Sequence, residues 1–302
     1  QRWVASEPLN DFRSTRCTGS MSTSTSSFWD DQPVCDHHRR QTDCQRSKTI
    51  VEFTLRFRVV LKMTLVSEIS SPSSIVQAAS DQAKPDVLVI TSEIPWPLNT
   101  GGHLRSFHIL KALSRQFNVR VIAGVDLADD PGLRALGRHG IRVLPAFHKK
   151  RNPVSELGRV ASSLVREEPY VMFHRHNRPA MRREIRKQLA ERTPDIVYLD
   201  HLDPLAFRGL FPKARVVADL HNVYSTLASR VATERAFPAN LYLHNEARLL
   251  SYMEKQLAAA ASVIMTVSET EQEYFQNLGG RVVRLVPNGV DCAAFNQSPI
   301  GR

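Results

Sequence analysis

Two histidines in the sequence each follow a short apolar run, where an imidazole would meet a polar ligand. His201 comes directly after Val197-Tyr-Leu-Asp200, and His221 follows Val216-Val-Ala-Asp-Leu220. An imidazole exchanges protons near neutral pH and both donates and accepts hydrogen bonds. Two histidines at strand ends therefore indicate a site for polar groups. The alternative for each is a structural residue that only completes local hydrogen bonds.

A pair of glycines, Gly101 and Gly102, stands directly before an amphipathic segment. The loop Pro95-Trp-Pro-Leu-Asn-Thr-Gly-Gly-His103 leads into residues 104–117, whose apolar side chains recur at helical spacing. Glycines at a helix start let backbone N–H groups approach an anion, and the helix dipole favours negative charge there. Arg105 in the first turn adds a charged donor. The alternative is a rigid turn without a ligand, since the third glycine of the dinucleotide fingerprint is missing.

Strands and helices that alternate along the chain must position these residues. Short apolar runs separated by helical segments are typical of a parallel sheet covered on both faces, with ligands beyond the carboxyl ends of its strands. We therefore predict an α/β fold with a Rossmann-like, doubly wound parallel sheet. The predicted strands are 86–91, 119–123, 141–144, 196–199, 216–218, 263–267 and 282–286, and the predicted helices are 104–117, 154–168, 179–191, 226–234, 240–260 and 269–277.

The composition divides the chain of 302 residues into unequal parts. With 42% hydrophobic residues it is able to bury a core, while the Ser/Thr run from Ser20 to Ser27 is typical of disorder. We predict a disordered or non-native tail over residues 1–82, one ordered domain over 83–288 and the start of an interdomain linker over 289–302. The net charge of +10 indicates an anionic partner without identifying it.

A metal site in the tail is not expected. Structural zinc sites prefer two ligand pairs separated by a longer loop, and the tail offers only one group of cysteines and histidines. The fourth cysteine, Cys292, stands alone. The group comprises Cys35, His37, His38 and Cys44.

Several short motifs together resemble those of the family 4 glycosyltransferases, and more narrowly the group 1 hexosyltransferases of polysaccharide and glycolipid assembly. The resemblance covers about residues 85–295 and depends on the order and spacing of the motifs. It implies a GT-B architecture, in which two Rossmann-like domains hold a nucleotide sugar between them, with retention of anomeric configuration and no metal ion. The motifs are Ile94-Pro-Trp-Pro-Leu-Asn-Thr-Gly-Gly102, Asp219-Leu-His-Asn-Val223, Ser268 and Val286-Pro-Asn-Gly-Val-Asp291 with Phe295.

The resemblance also implies roles for individual residues. Gly101 and Gly102 match the pair that faces the donor phosphates, His221 matches a cleft histidine, and His201 approximates a second one. We infer catalytic roles for the two histidines. Tyr224 stands where relatives often carry Glu, so acceptor contacts are not carried over from that position. The inferred substrate-binding residues are Asn222, Arg105, Arg230 and Ser268.

The family's second domain supplies a basic pair for the diphosphate and a pair of glutamates near the sugar. Neither appears after Asp291 in this sequence. Glu246 and Glu254 have a similar spacing, but they lie within a predicted helix of the first domain, where we expect a solvated or interdomain face. We therefore expect the acceptor-side half of a glycosyltransferase that is inactive alone.

The leading hypothesis is transfer of a sugar from a nucleotide sugar, as co-substrate, to a glycan or lipid-linked acceptor, with no other cofactor. Because no export signal or membrane span is visible, we expect a cytoplasmic protein with peripheral contact at the inner face of the membrane. A second hypothesis is a non-enzymatic Rossmann-like module that binds a nucleotide or a protein partner. Nucleic-acid binding is a third, and we expect no such partner because a basic-aromatic platform and a recognition helix are missing.

Overall fold

The computed structural model describes residues 84–289, apart from 127, 129, 149–152 and 171–174. The predicted tail, its cysteine and histidine group, and nearly all of the predicted linker lie outside the described residues. The domain boundaries therefore stay predictions. Within the described ranges, no helix is long and apolar enough to cross a lipid bilayer.

A single sheet of seven parallel strands forms the centre of the molecule and confirms the predicted Rossmann-like fold. Its strands are β1 (Asp86–Thr91), β2 (Asn118–Val125), β3 (Val143–Phe147), β4 (Ile196–Asp200), β5 (Val216–Asp219), β6 (Val263–Thr266) and β7 (Val283–Leu285). They are arranged in the order β3-β2-β1-β4-β5-β6-β7. The order reverses between β1 and β4, so a ligand crevice is expected beyond the carboxyl ends of these two strands.

The helices agree with the sequence prediction in most places. They are α1 (Gly101–Gln116), α2 (Pro131–Arg138), α3 (Pro153–Arg166), α4 (Pro179–Glu191), α5 (Tyr224–Thr233), α6 (Ala239–Ala260) and α7 (Glu269–Asn277), with a 3₁₀ helix at Asp203–Leu210. The sequence prediction missed α2 and the 3₁₀ helix. Asp130, which caps α2 by accepting a hydrogen bond from Gly132 N at 2.7 Å, and Pro131 at the first position were the available signal for α2.

The predicted third strand begins two residues too early. Ile141 is buried, but its backbone N–H bonds to Leu136 O at 3.1 Å and so still closes the end of α2. The strand begins only at Val143 and extends to Phe147.

Apolar side chains fill both faces of the sheet. Because successive residues of a strand point to opposite faces, Val87 and Val89 join the cluster that contains the buried face of α1. Leu88 and Ile90 join the other cluster, which contains residues of α4 and α6. Two-sided burial explains why the strands are continuously apolar in sequence.

The expectation that Glu246 and Glu254 form a solvated or interdomain face is wrong. Both residues are buried in the described structure. Glu254 accepts hydrogen bonds from Ser225 N at 3.1 Å, Ser225 Oγ at 2.6 Å and Tyr274 Oη at 2.8 Å, and Glu246 accepts one from Tyr170 N at 3.1 Å. The two carboxylates therefore join α6 to neighbouring segments.

The loop between β1 and α1 lies directly against the backbone of two glycines. A Cβ atom added at Gly132 would lie 2.4 Å from Ile94 Cγ2 and 2.9 Å from Trp96 Cβ. A Cβ at Gly124 would lie 2.4 Å from Ser92 O. Because these distances are far below van der Waals contact, only glycine lets the loop lie so close. The loop that leads to α1 is positioned by this contact.

Replacing Gly132 by alanine should therefore destabilise the protein. We expect Gly132→Ala to lower the free energy of unfolding by about 1–3 kcal/mol, because the added methyl group forces the loop away. Gly137→Ala on the same helix is the matched control, since a Cβ there meets nothing within 4 Å. The control should be neutral or stabilising by up to about 1 kcal/mol through helix propensity. Urea unfolding measures both, and equal effects would contradict the tight contact.

Candidate functional site

The amino end of α1 presents backbone donors at the carboxyl edge of the sheet. Thr100 caps the helix, and its hydroxyl accepts a hydrogen bond from His103 N at 3.2 Å. The first amides of a helix have no acceptor within the helix, so the N–H groups of Gly101 and Gly102 stand at the positive end of its dipole. This arrangement suits an anion.

The two histidines identified from the sequence meet in front of this helix end. The ring centroids of His201 and His221 lie 3.8 Å apart, and the rings are tilted by 45°. A Cβ added at Gly102 would lie 3.5 Å from His221 Nδ1 and 3.7 Å from His201 Nε2. The structure therefore brings Gly102 and both histidines into one cluster, with one ring nitrogen of each histidine on the side of α1.

Asp200 and Asp219 stand behind the histidine pair. Asp200 Oδ1 lies 3.3 Å from His201 Nδ1 and 3.4 Å from His221 Nε2, and it accepts a hydrogen bond from Ser106 Oγ at 2.9 Å. Asp219 Oδ2 lies 3.5 Å from His221 Nε2. Each histidine therefore turns one nitrogen to a carboxylate and the other to the side of α1.

Arg105 is placed differently from the sequence expectation of a donor to a ligand. Its guanidinium is buried and contacts Asp219, with Nε at 3.0 Å from Oδ2 and Nη2 at 2.5 Å from Oδ1. Its Nη1 donates to Val286 O at 2.7 Å and to Asn288 Oδ1 at 3.1 Å. Because the guanidinium is bonded to protein acceptors on both sides, Arg105 joins α1 to β5 and to the segment after β7.

The neighbouring carboxylates raise the pKa of both histidines. Burial lowers the pKa of His201, but the charge of Asp200 outweighs it and the pKa rises to about 9. Burial likewise opposes the contacts with Asp200 and Asp219 that raise the pKa of His221. Asp219 is buried as well, yet Arg105 and His221 lower its pKa to about 2. With His201 protonated, two cations, Arg105 and His201, face the carboxylates of Asp200 and Asp219, and the raised pKa of His221 favours a third positive charge.

His201 has a strained backbone. Its φ angle is +78°, in the left-handed region that non-glycine residues rarely adopt. Its backbone N–H donates to Asp219 O at 2.9 Å, and its side chain is 30% exposed, compared with 7% for His221. Such strain is concentrated at functional sites. Because its side chain is more exposed, His201 is the more accessible member of the pair.

Three further titratable residues near the site were not identified from the sequence. Burial raises the pKa of Asp203 to about 7, and its Oδ2 is buried without a hydrogen-bond partner among the described residues. Burial and the charge of Arg175 lower the pKa of His176 to about 4. The contact with Glu93 raises the pKa of His103, whose Nδ1 also donates to Pro97 O at 2.7 Å. Asp203 stands three residues after β4, and this was the available sequence signal.

Asp200, His201 and His221 also have the donor atoms of a metal site. One ligand atom from each lies within 4.8 Å of the others. A metal ion requires neutral imidazoles, whereas the neighbouring carboxylates raise the pKa of both rings and so favour their protonated form. Proton and metal would therefore compete for this cluster.

The remaining predicted residues lie around the cluster or outside it. Asn222 is exposed and directly follows His221. Ser268 caps α7, where its hydroxyl accepts a hydrogen bond from Glu271 N at 3.3 Å. Arg230 is exposed in the last turn of α5. Within the part of the chain that the structure describes, no contact joins Arg230 or Ser268 to the histidine pair.

The comparison with protein-family models agrees with the motif analysis. A family model described as Glycosyltransferase Family 4 matches residues 101–294. No curated protein sequence matches the chain. Sucrose-phosphate synthase from Thermosynechococcus elongatus is similar in structure, with a TM-score of 0.39 and 12% identity over 70% of this chain and 93% of that chain.

Two other solved structures show a similar degree of likeness. The N-terminal domain of Candida albicans trehalose-6-phosphate phosphatase has a TM-score of 0.34 and 15% identity over 67% of this chain and 44% of its own. Arabidopsis thaliana UGT89C1, complexed with UDP-L-rhamnose, has a TM-score of 0.40 and 14% identity over 70% of this chain and 50% of its own. The chain thus spans half or less of these two structures.

The raised pKa of His201 predicts a pH dependence of stability. Its folded-state pKa of about 9 lies above the ordinary value of 6.5, so protonation stabilises the folded state fully below pH 6.5. This contribution is lost as the pH rises through 9. We expect the free energy of unfolding to fall more steeply between pH 6.5 and 9 in the wild type than in His201→Gln. Parallel curves for the two proteins would contradict the elevated pKa.

The buried pair of Arg105 and Asp219 predicts a large effect of removing one partner. Arg105→Gln should cost about 3 kcal/mol in unfolding free energy, because it leaves a buried carboxylate without its strongest counter-charge. The double variant Arg105→Gln/Asp219→Asn should recover part of this loss. Exposed Arg230→Gln serves as control and should change stability by less than about 0.5 kcal/mol. Chemical denaturation measures all three, and a loss in Arg105→Gln no larger than in the control would contradict the role of the pair.

Proposed function

The chain belongs to glycosyltransferase family 4, and on this premise we propose that it binds a nucleotide sugar and transfers the sugar to a glycan or lipid-linked acceptor. The observation that carries the proposal is the meeting of the α1 amino end with His201 and His221. The helix amides, the helix dipole and the imidazoles together form a cluster that suits an anion at the switch point of the sheet, where such folds bind ligands.

We propose that the amides of Gly101 and Gly102 bind the donor diphosphate. A nucleoside diphosphate leaves as an anion, and stabilising its developing charge is the main electrostatic task of the reaction. Fixed backbone donors at a helix start serve this purpose without reorganisation. The close approach of Gly102 to both rings supports a position of the imidazoles beside the same anion.

The proposed roles of His201 and His221 follow from the carboxylate contacts that raise the pKa of both rings. Each ring has one nitrogen near Asp200 and its other nitrogen on the side of α1. A protonated imidazole donates a hydrogen bond and adds positive charge, whereas a general base requires the neutral form. We therefore propose that the pair stabilises charge and binds sugar or acceptor hydroxyls. Asn222, beside His221 and exposed, is proposed to contact the acceptor.

The finer features of the reaction are proposed from the family resemblance. They are retention of configuration, independence of metal ions and substrate contacts through Ser268 and Arg230. The described residues form one Rossmann-like sheet, whereas a GT-B enzyme closes its donor site with a second. We therefore propose that transfer requires a second Rossmann-like domain. A lipid-linked acceptor would place the protein at the cytoplasmic face of a membrane.

The glycine pair gives a direct test of anion binding. We expect Gly102→Val to weaken binding of inorganic pyrophosphate and of UDP-glucose at least about tenfold, because its side chain would fill the space before both histidines. Gly137→Val is the matched control, since a Cβ at Gly137 meets nothing within 4 Å. Calorimetric titration of the 302-residue chain measures both, with thermal unfolding as a check on folding. Equal binding by the two variants would overturn the proposed phosphate site.

Sugar transfer itself is tested on a chain extended by a second Rossmann-like domain. The assay follows transfer of the sugar from UDP-glucose or GDP-mannose to a lipid extract and distinguishes it from hydrolysis of the donor. Transfer that is lost in His221→Ala would support the proposal. Donor binding without transfer by the extended chain would favour the non-enzymatic module. Turnover by residues 1–302 alone would contradict the proposed need for a second domain.

A further inference from the structure

Helix α3 has its apolar side on the outside of the molecule. Val154, Leu157, Leu164 and Val165 are 79%, 71%, 47% and 86% exposed, and Ala161 between them is exposed as well. Their spacing places these five residues on a single face of the helix, which we name the outer face of α3. Four exposed branched side chains on one helix are unusual for a surface that remains in water.

The opposite side of α3 is polar and faces the protein. Ser163 is buried, and its hydroxyl donates to Val160 O at 2.7 Å. Glu156 accepts a hydrogen bond from Tyr170 Oη, and Arg159 Nη2 donates to Asn177 O at 3.3 Å. A surface helix ordinarily places its apolar stripe on the core. The inverted orientation of α3 therefore indicates that the outer face has a partner.

Basic residues predominate in the part of the sequence that contains this helix. Residues 148–195, which connect β3 to β4 and include α3, contain twelve Lys and Arg against six Asp and Glu. This segment thus contributes +6 of the total +10. Basic residues beside an exposed apolar helix face are typical of proteins that bind anionic lipid surfaces.

Helix α3 also follows a strand that ends at the carboxyl edge of the sheet, where the histidine pair lies. Strand β3 ends at Phe147, which is 49% exposed, and α3 begins at Pro153. The carboxyl ends of parallel strands share one edge of the sheet, so the start of α3 is near the edge that holds His201 and His221. A surface that binds α3 would approach the same edge of the sheet that holds the histidine pair.

From these observations we propose that the outer face of α3 docks on an anionic lipid bilayer. The apolar side chains enter the boundary between headgroups and acyl chains, and the surrounding basic residues attract the phosphate groups. The inference names the surface through which the proposed membrane contact is made, and in that respect it rests on the proposed function. It requires no donor and no sugar transfer.

The test is co-sedimentation of the 302-residue chain with lipid vesicles. We expect binding to phosphatidylglycerol vesicles, weak binding to phosphatidylcholine vesicles, and a loss of binding in high salt, because lipid charge supplies part of the attraction. The variant Leu157→Ser/Leu164→Ser should bind phosphatidylglycerol at least about tenfold more weakly, since two apolar side chains no longer enter the bilayer. Because both leucines are exposed, this variant should fold normally, which circular dichroism checks.

The matched control replaces two exposed leucines elsewhere. Leu227 and Leu241, on α5 and α6, are 48% and 65% exposed. Leu227→Ser/Leu241→Ser should bind vesicles as the wild type does. Equal weakening by both double variants would overturn the assignment to α3, as would a wild type that fails to bind phosphatidylglycerol.

Other occupants of the outer face give different results. If Leu157→Ser/Leu164→Ser converts a dimer to a monomer in sedimentation equilibrium, a second copy occupies the face and the lipid proposal is wrong. If a chain extended by a second domain no longer binds vesicles, that domain occupies it. Gly102→Val should bind vesicles normally, and Leu157→Ser/Leu164→Ser should bind pyrophosphate normally, so a failure of one proposal is distinguishable from a failure of the other.

Discussion

The buried ion pair between Arg105 and Asp219 is the interaction on which the geometry of the site depends. It joins the first helix to the fifth strand across 114 residues of sequence, and Arg105 further bonds to Val286 O. Asp219 in turn approaches His221 and lies under the histidine pair. A buried carboxylate that loses its counter-charge is strongly destabilising. The position of His221 and the packing of α1 are therefore linked through one side-chain contact.

The site and the outer face of α3 show two different uses of charge. In the site, carboxylates are buried behind the imidazoles, so their effect on His201 and His221 is strong and little screened by salt. In the segment 148–195, which contains α3, the basic residues are spread along 48 residues of sequence. They attract anions that approach from solvent. The first arrangement favours the protonated form of the two imidazoles. The second arrangement is the one that we propose attracts anionic lipid.

Most of the sheet and the members of the histidine cluster were predictable from sequence, because they depend on local patterns. Continuous apolar runs identify buried strands, and the position of His201 after one of them places it at the rim. The burial of Arg105 and Glu254 was not predictable, since each is satisfied by partners distant in sequence. The orientation of α3 was not predictable either. An amphipathic spacing shows that a helix has two faces and leaves open which of them the protein covers.

The left-handed backbone of His201 has a consequence for how this position should be probed. Alanine retains a Cβ, so an alanine substitution would remove the imidazole while keeping the steric cost of a φ angle of +78°. Glycine removes both, and its effect on stability includes relief of that cost. A saturation library at this position would therefore rank variants for thermal stability by their backbone preference as well as by the loss of the imidazole. At this position the backbone adopts an unfavourable φ angle, and the imidazole is thereby held in a fixed place.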